Sequence, residues 1–578
     1  MSVNYRKLKD QWKKEGRIPE WYSSNALQFF METYSYEGED VKTRDETTNA
    51  WLAKFAPKVY PEWWSEDEYF KGLTWEQAFN KLDWDGFTIK STPLKANRGL
   101  PQRGLTVSCC GQDFKNSIAA KAFARGELEV LIKNSHGCSM TVSDWLAEGE
   151  VYDSDGNRSH GIVPIIDELQ EATGAINQGI RRGVTLFGVD ALHGDFWKVA
   201  KKLFDEADNL NIAWLMTDEF TKLLEQGDEE TIKRWNKILY IRMAKGKGYF
   251  TKIDTMNRNK AQVFKDKGLI VKGSNLCNEV NLPVTEEYSF TCVIINANLT
   301  LYRQFPKHLF HVLHVMQDCN VSGYIAEIES KTGYNSLFLN KVLKFTKDFR
   351  AVGTGVAGFH SLLMQEGIVY GSLDSFYLNN RIFKGMREDL EESSRWLAKV
   401  LGEPKGMKGT GMRNATLMMM PPTKSSAELA RNTPSESINP STALVKVKET
   451  VGGDIWRIEP VLLKLLKEKG KYNDEVISNI ARAKGSVQHL DFLTQDEKDV
   501  LRIAFEIPME AHLDLCSQRQ KHIDQQQSIN LYLASHDSVE YIAEIHKKAL
   551  LDEGINGLYY CYSSRGGSYE RADCIVCQ

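Results

Sequence analysis

Between Ser274 and Glu279 the chain reads Ser-Asn-Leu-Cys-Asn-Glu, which sets an amide (Asn275), a thiol (Cys277) and a carboxylate (Glu279) at alternate positions. In extended backbone alternate side chains share a face. The spacing therefore predicts one group to orient a substrate, one sulfur to react and one carboxylate to move a proton. Taken alone, these six residues are more simply a buried cysteine in a loop with polar neighbours. Two further cysteines bear on the choice: Cys292 lies inside the apolar run Ser289–Ala297, and Cys109 closes Leu105–Cys109, both strand-like. Cys110 competes with Cys109, because successive strand residues face opposite sides and only one of the two thiols points inward. The plain reading of Cys110 is a small core filler.

Other groups stand apart from these sulfurs. Pro421-Pro422-Thr423-Lys424-Ser425-Ser426 runs into a helix-compatible Ala427–Ala430. That is the local pattern of a helix N-terminus, either an anion site built from free N–H groups and hydroxyls or an unliganded cap. The pair Tyr559-Tyr560, an aromatic anchor on its own, precedes a Gly/Ser-rich tail that ends in Cys574-Ile575-Val576-Cys577. A C-x-x-C pair exchanges disulfides readily; a zinc site with Cys561 lacks an evident fourth ligand. From Tyr560 to Cys574 the extended chain reaches roughly 45–50 Å and a flexible coil averages about 20 Å, enough to enter an active site. Asp113 and the stretch Asn177–Gly183, with Gln178, Arg181 and Arg182, read alone as solvated turns. Gly353–Gly358 fits G-x-G-x-x-G but has no clear strand before it and no acidic residue at the expected distance, so a dinucleotide site is set aside. The basic Lys245–Lys252 is read as a solvated loop.

Positioning groups so far apart takes a large scaffold. A chain of 578 residues exceeds one ordinary core and implies several units, or two if one is a large α/β barrel. Hydrophobic residues at 42% and charged residues at 26% exclude a disordered or fibrous chain. Lys+Arg 73 against Asp+Glu 77 leaves no basic surplus, which argues against a nucleic-acid partner. No apolar run is long enough for a membrane span, and the basic first 25 residues lack the apolar core of a secretory signal. Ten cysteines are too few to build a disulfide scaffold of this length, so a cytoplasmic chain with chemically active thiols is expected.

Residues 1–90 read as a helical domain, with Trp12, Trp21, Trp51, Trp63, Trp64, Trp75 and Trp84 as packing anchors. From 91 to 555 strand-like runs alternate with helices. Val184–Asp190 and Asn211–Met216 are expected strands and Phe220–Ile238 one helix, a pattern of parallel α/β architecture. Residues 556–578 form a tail that is mobile by composition.

With these stretches in view, the chain resembles the large subunit of class I ribonucleotide reductases. Ser274–Glu279 is similar to that family's finger loop, Val107–Cys109 and Cys292 to its redox cysteines, Thr416–Leu429 to its diphosphate loop, and Tyr559-Tyr560 and the C-x-x-C end to its relay and tail. The resemblance spans roughly 90–578, and its Val-Ser-Cys frame selects Cys109 over Cys110. It implies a ten-stranded α/β barrel with a finger loop near 274–280, and reduction of ribonucleoside diphosphates to deoxyribonucleoside diphosphates. It implies a thiyl radical on Cys277, Glu279 as general base, Asn275 as an orienting amide, and Cys109 with Cys292 as the reducing pair. Tyr559 and Tyr560 would relay the radical, and Cys574 with Cys577 would re-reduce the site. Thr92, Ser108, Pro422, Thr423, Lys424, Ser425 and Ser426 would hold the diphosphate.

Asp113, Gln178, Arg181 and Arg182 would serve a specificity site for nucleoside triphosphate effectors with Mg2+. Expected partners are a radical-generating small subunit that carries the metallocofactor, thioredoxin or glutaredoxin, and a second copy of the chain; no metal or tightly bound cofactor is expected in this one. Only about 90 residues precede the first active-site strand, so the extra ATP-binding activity domain of many relatives is expected to be absent. The alternatives are an adenosylcobalamin-dependent reductase on the same barrel, which needs no relay tyrosine, and a catalytically silent nucleotide-binding subunit, which the complete residue set opposes.

Overall fold

The computed structural model describes residues 3–36, 38–97, 104–176, 183–448 and 455–564. The first strand, β1 (Thr88–Lys90), follows four helices: Tyr5–Lys14, Ser24–Thr33, Val41–Ala53 and Trp75–Asp85. Each starts where a side chain accepts an otherwise orphaned N–H: Asn4, Ser23, Asp40, and Thr74 in a capping box with Gln77. Trp12, Trp51, Trp64 and Trp75 are buried among these helices, as expected of packing anchors, whereas the Trp84 side chain is 37% exposed and its carbonyl accepts from the Trp21 indole N–H.

Twelve further strands follow: β2 (Cys109–Gln112), β3 (Gly137–Thr141), β4 (Thr185–Asp190), β5 (Asn211–Met216), β6 (Tyr249–Lys252), β7 (Phe290–Asn298), β8 (Val352–Ala357), β9 (Val445–Lys448), β10 (Ile455–Ile458), β11 (Leu531–Leu533), β12 (Gly557–Leu558) and β13 (Cys561–Ser563). β2 to β6 are parallel neighbours in sequence order. β7 joins β2 antiparallel and β8 runs parallel to β7. Beyond β8 the ring continues through parallel bridges, Thr354 to Met418 and Met420 to Gln527. The segment around β11 then pairs parallel with β13, and β12 returns antiparallel onto β6. Ten elements thus close into a barrel of two five-membered parallel halves with two antiparallel seams, the fold expected from the sequence. Closure removes the sheet edges that would otherwise be exposed.

Three sequence expectations are corrected here, and a fourth stretch is placed in the barrel. The strand near Cys109 covers Cys109–Gln112, not Leu105–Cys109, because its neighbour β3 begins only at Gly137, opposite Cys109. Phe220–Ile238 is two helices, Asp218–Glu225 and Glu229–Lys245, broken at Gly227 (φ 81°) and restarted by the Asp228 cap on Thr231. Lys245–Lys252 is no solvated loop: Tyr249–Lys252 is the buried β6, and the Lys252 ammonium donates to the Ala549 and Asp552 carbonyls. Val352–Ala357, the glycine-rich stretch, is itself a strand. A Cβ at Gly355 would lie 2.2 Å from Asn296 Oδ1 and 2.9 Å from the Met419 carbonyl, so glycine here permits close strand packing.

Candidate active site

The loop that carries Cys277 touches both halves of the barrel. It is not extended. The Asn278 N–H donates to the Asn275 carbonyl (3.0 Å) and Asn278 takes a left-handed φ of 60°, which makes Asn275–Asn278 a tight turn. Asparagine is among the non-glycine residues that most readily take that conformation, and here its amide is held by β6: Asn278 accepts from Thr251 Oγ1 (3.0 Å) and donates to the Phe250 carbonyl (3.1 Å). From below, Gly557 comes so close that a Cβ would meet the Asn278 amide at 2.7 Å. The expectation of alternate side chains on one strand face is therefore wrong in its geometry. The turn nonetheless brings Asn275 and Glu279 together.

Asn275 organises the hydrogen bonding. Its Oδ1 accepts from the Glu279 and Val280 N–H groups (3.0 and 3.2 Å), while its Nδ2 donates to Glu279 Oε1 (2.8 Å) and to Cys109 Sγ (3.1 Å). Cys109 Sγ lies 3.9 Å from the same Glu279 oxygen. Cys109 and Cys292 are direct cross-strand partners in the β2–β7 ladder. Such partners sit about 4.5–5.5 Å apart at Cα with side chains on one face, inside the range a disulfide requires. Cys110 points the other way, into the layer between sheet and helices with Cys138, its neighbour on β3.

The site is dry. Asn275 and Glu279 are 0% and 1% exposed, Cys292 1%, Cys109 6% and Cys277 8%. Burial drives the Glu279 carboxyl up to about 7, against the hydrogen bonds that favour its ionised form. Burial, with Glu279 nearby, raises both the Cys109 and Cys292 thiols far above the usual range, so both rest as neutral thiols. Cys277 packs with Leu186, Ala213, Tyr249, Leu276, Tyr559 and Tyr560 in one apolar cluster. The rings of Tyr559 and Tyr560 have centroids 4.1 Å apart, and Tyr249 lies 4.9 and 5.4 Å from them.

Thr423 and Ser425 are buried, Pro422 and Ser426 half-buried and Lys424 exposed at the start of a short helix, Lys424–Glu428. The Thr423 hydroxyl accepts from the Ser437 N–H (2.8 Å). Ser426 lines a small pocket together with Tyr34 and Lys95. Tyr34 is 3.0 Å, hydroxyl to hydroxyl, from Thr92, so the loop and Thr92 share a neighbourhood. Ser108 lies beside Cys109, 3.8 Å from its sulfur. Asp113 is elsewhere, buried and paired with Lys272 (2.7 Å). Gln178, Arg181, Arg182, Cys574 and Cys577 lie outside the described residues.

Sequence reasoning missed Gln525-Gln526-Gln527-Ser528. Gln525 Nε2 donates to Cys292 Sγ (3.2 Å), the Val352 carbonyl and Thr416 Oγ1. Gln526 donates to Ser274 Oγ and the Asn278 carbonyl, and Ser528 donates to the Cys277 carbonyl at 2.6 Å. The run of three successive amides ahead of the apolar strand Leu531–Leu533 was the available signal: buried polar groups must find partners. Gln525→Leu is expected to cost about 1–3 kcal/mol of stability in a urea melt, since it strands buried acceptors, and to slow oxidation of the Cys109/Cys292 pair in a thiol count after one turnover.

A closed barrel threaded by a cysteine-bearing turn, with two cross-strand thiols and a buried carboxylate at its tip, is a fold and site whose relatives can be named. The family model described as "Ribonucleotide reductase, barrel domain" matches residues 107–234, 231–410 and 404–561. The chain belongs to the ribonucleotide reductase family. It is 31% identical over 388 residues to the ribonucleoside-diphosphate reductase large subunit of Invertebrate iridescent virus 3, covering 66% of this chain and 59% of that protein. A Frog virus 3 (isolate Goorha) protein that carries the same name provisionally is 28% identical over 432 residues, 71% of this chain and 75% of its own length. Among solved structures, the Actinobacillus ureae class Id ribonucleotide reductase alpha subunit superposes with a TM-score of 0.82 at 28% identity, over 95% of this chain and 99% of that one. No helix among the described residues is long and apolar enough to cross a membrane.

Proposed function

We propose that this chain is the catalytic large subunit of a class I ribonucleoside-diphosphate reductase. The observation that carries the proposal is the juxtaposition of Cys109 and Cys292 across one strand pair, with the Glu279 carboxylate and the Asn275 amide at the Cys109 sulfur. In this reading Cys277, as a thiyl radical, removes the 3′-hydrogen of the ribose and ends the cycle by returning one. Glu279 accepts the 3′-hydroxyl proton, a task suited to a carboxylate whose pKa lies near the working pH. Cys109 protonates the departing 2′-hydroxyl, which leaves as water. Cys109 and Cys292 together give up two electrons and close a disulfide, while the 2′-carbon gains hydrogen. The dry pocket protects the radical from quenching.

The diphosphate falls to Thr92, Ser108 and the Pro422–Ser426 loop, and the radical enters through Tyr559 and Tyr560 from a metal-bearing small subunit. Asp113 and the 177–183 stretch form the specificity site for a nucleoside triphosphate with Mg2+. Cys574 and Cys577 pass electrons inward from thioredoxin or glutaredoxin, and a second copy of the chain completes the assembly.

The test is an anaerobic assay of the purified chain with a candidate small subunit, a ribonucleoside diphosphate and dithiol reductant. Deoxynucleoside diphosphate is expected only when both subunits are present, and Tyr560→Phe should abolish it. Product formation with adenosylcobalamin alone, unaffected by Tyr560→Phe, would replace this reading with the cobalamin-dependent one.

A further inference from the structure

The strand ladder that carries Cys109 and Cys292 is closed at one end by a buried carboxylate. Cys109 on β2 faces Cys292 on β7, and the ladder ends with Gly111 opposite Phe290. One register step further stand Gln112, the last residue of β2, and Ser289, just ahead of β7. Gln112 Nε2 donates to Glu127 Oε2 (3.0 Å), and the Ser289 hydroxyl donates to the other oxygen, Oε1 (2.7 Å). Glu127 lies on the helix Ile118–Lys133 and is 0% exposed; Gln112 and Ser289 are buried with it. One carboxylate thus holds both strands just past the end of their shared ladder.

The bracket sits behind the thiols. Cys109 packs with Phe290 and Cys292 on the inner face, so by strand alternation Gln112, Ser289 and Thr291 face the helices. The Thr291 hydroxyl lies 2.9 Å from that of Thr346 on the helix Gly333–Phe349. The same helix brings the Lys341 ammonium to 3.8 Å from Glu127. That is a loose counter-ion, and a buried carboxylate is costly unless closely paired. Burial pushes the Glu127 carboxyl upward, against Lys341 and the two hydrogen bonds. An apolar side chain would fill the space between helix and sheet more favourably, so packing alone does not account for an acid here. An ionised carboxylate accepts on both oxygens, which lets one side chain take a donor from each of two strands.

We propose that Glu127 is a positioning residue of the reducing pair: by bracketing Gln112 and Ser289 it fixes the β2–β7 register and holds the Cys109 and Cys292 sulfurs ready to form a disulfide. The inference rests on the function proposed above, in which that pair is the electron donor. On oxidation the two thiols lose two electrons and two protons, and one S–S bond forms between them. The acceptor is the substrate in turnover and oxidised dithiothreitol, whose own S–S bond opens, in the test below. Disulfide geometry tolerates little displacement, and the advantage of an intramolecular partner falls as the two groups are freed to wander. Loosening the bracket therefore weakens the disulfide relative to the dithiol and makes the pair a poorer reductant.

The test is the dithiol–disulfide equilibrium of the full chain in mixtures of reduced and oxidised dithiothreitol, with no partner subunit or substrate. It is approached from both the reduced and the oxidised chain and read, after acid quench and alkylation, as the 109–292 cross-linked peptide by mass spectrometry. Glu127→Ala is expected to shift the equilibrium about tenfold toward the dithiol, a potential about 30 mV less negative. Glu127→Gln and Ser289→Ala each sever one arm of the bracket and should shift it the same way by a smaller factor. Leu128→Ala hollows the core at the next, fully buried residue of the helix but leaves the bracket intact. It should lower the melting temperature and leave the potential unchanged. Should Glu127→Ala fail to fold, the two single-arm variants carry the test. An unchanged potential in both of them, or an equal shift in Leu128→Ala, overturns the proposal. So does a parent chain that forms no 109–292 disulfide at any ratio, an outcome that also strips the assigned function of its reducing pair. Shifted potentials in a chain that makes no deoxynucleotide with any small subunit would instead sink the function and leave the bracket standing.

Discussion

Serine in place of Cys277 is expected to leave no detectable deoxynucleotide while the chain still folds and still binds nucleotide. The substitution conserves shape within one atom, so the apolar cluster with Leu186, Tyr249, Tyr559 and Tyr560 persists. What disappears is the weak S–H bond: an alkoxyl radical at serine is too unfavourable for a tyrosyl radical to generate. Alanine at Cys109 or Cys292 should fail differently. Neither residue starts the reaction, so hydrogen abstraction proceeds and the substrate radical then lacks its two-electron donor. The signature is consumption of substrate without deoxynucleotide product. In the parent chain, prereduced and given no external dithiol, a single turnover should convert the cross-strand pair to a disulfide, detectable as a 109–292 cross-linked peptide. Deoxynucleotide production by Cys277→Ser at the parental rate would remove the thiyl step from the account, and recovery of reduced Cys109 after turnover would remove the reducing pair.

The parts of this site legible in the sequence are those whose physics is local or whose spacing is characteristic. β4 and β5 matched their expected spans because long apolar runs bounded by turns leave little freedom. The convergence of Cys109 and Cys292, separated by well over a hundred residues, could only be reached through the family resemblance, because nothing local encodes a β2–β7 register. The alternation rule failed at Asn275–Glu279 because the backbone there bonds to itself: Asn278 enters the left-handed region, and Asn275 caps the turn with its own amide. Extended geometry would have put three side chains on one face. The turn instead gives Asn275 two acceptors at once and leaves Cys277 facing the tyrosines. Buried second partners such as Gln525, Ser528 and Glu127 were invisible for a related reason. A polar residue in an apolar stretch announces that it has a partner but not which one, and here the partners lie on other staves of the barrel.

Glu279→Gln is the substitution that should separate catalysis from stability most clearly. Loss of a general base lowers turnover by about 10²–10⁴-fold, and the amide retains an oxygen able to accept from Asn275. Burial places the Glu279 carboxyl near 7, so kcat/KM of the parent should rise through about pH 7 as the base form appears, a limb the variant lacks. The stability sign runs the opposite way. A carboxyl lifted from its ordinary 4.5 to about 7 on folding is held preferentially in its protonated form by the native state. Its favourable contribution is complete below pH 4.5 and is lost as pH rises through 7. At pH 8 the folded chain therefore carries a buried carboxylate that opposes folding by on the order of 3 kcal/mol. Glutamine removes that opposition. Urea melts should show the variant more stable than the parent at pH 8 and indistinguishable from it near pH 4.5, with almost no activity at either. An active variant, or one destabilised at pH 8, would mean that Glu279 is neither the base nor as isolated from water as its neighbours make it.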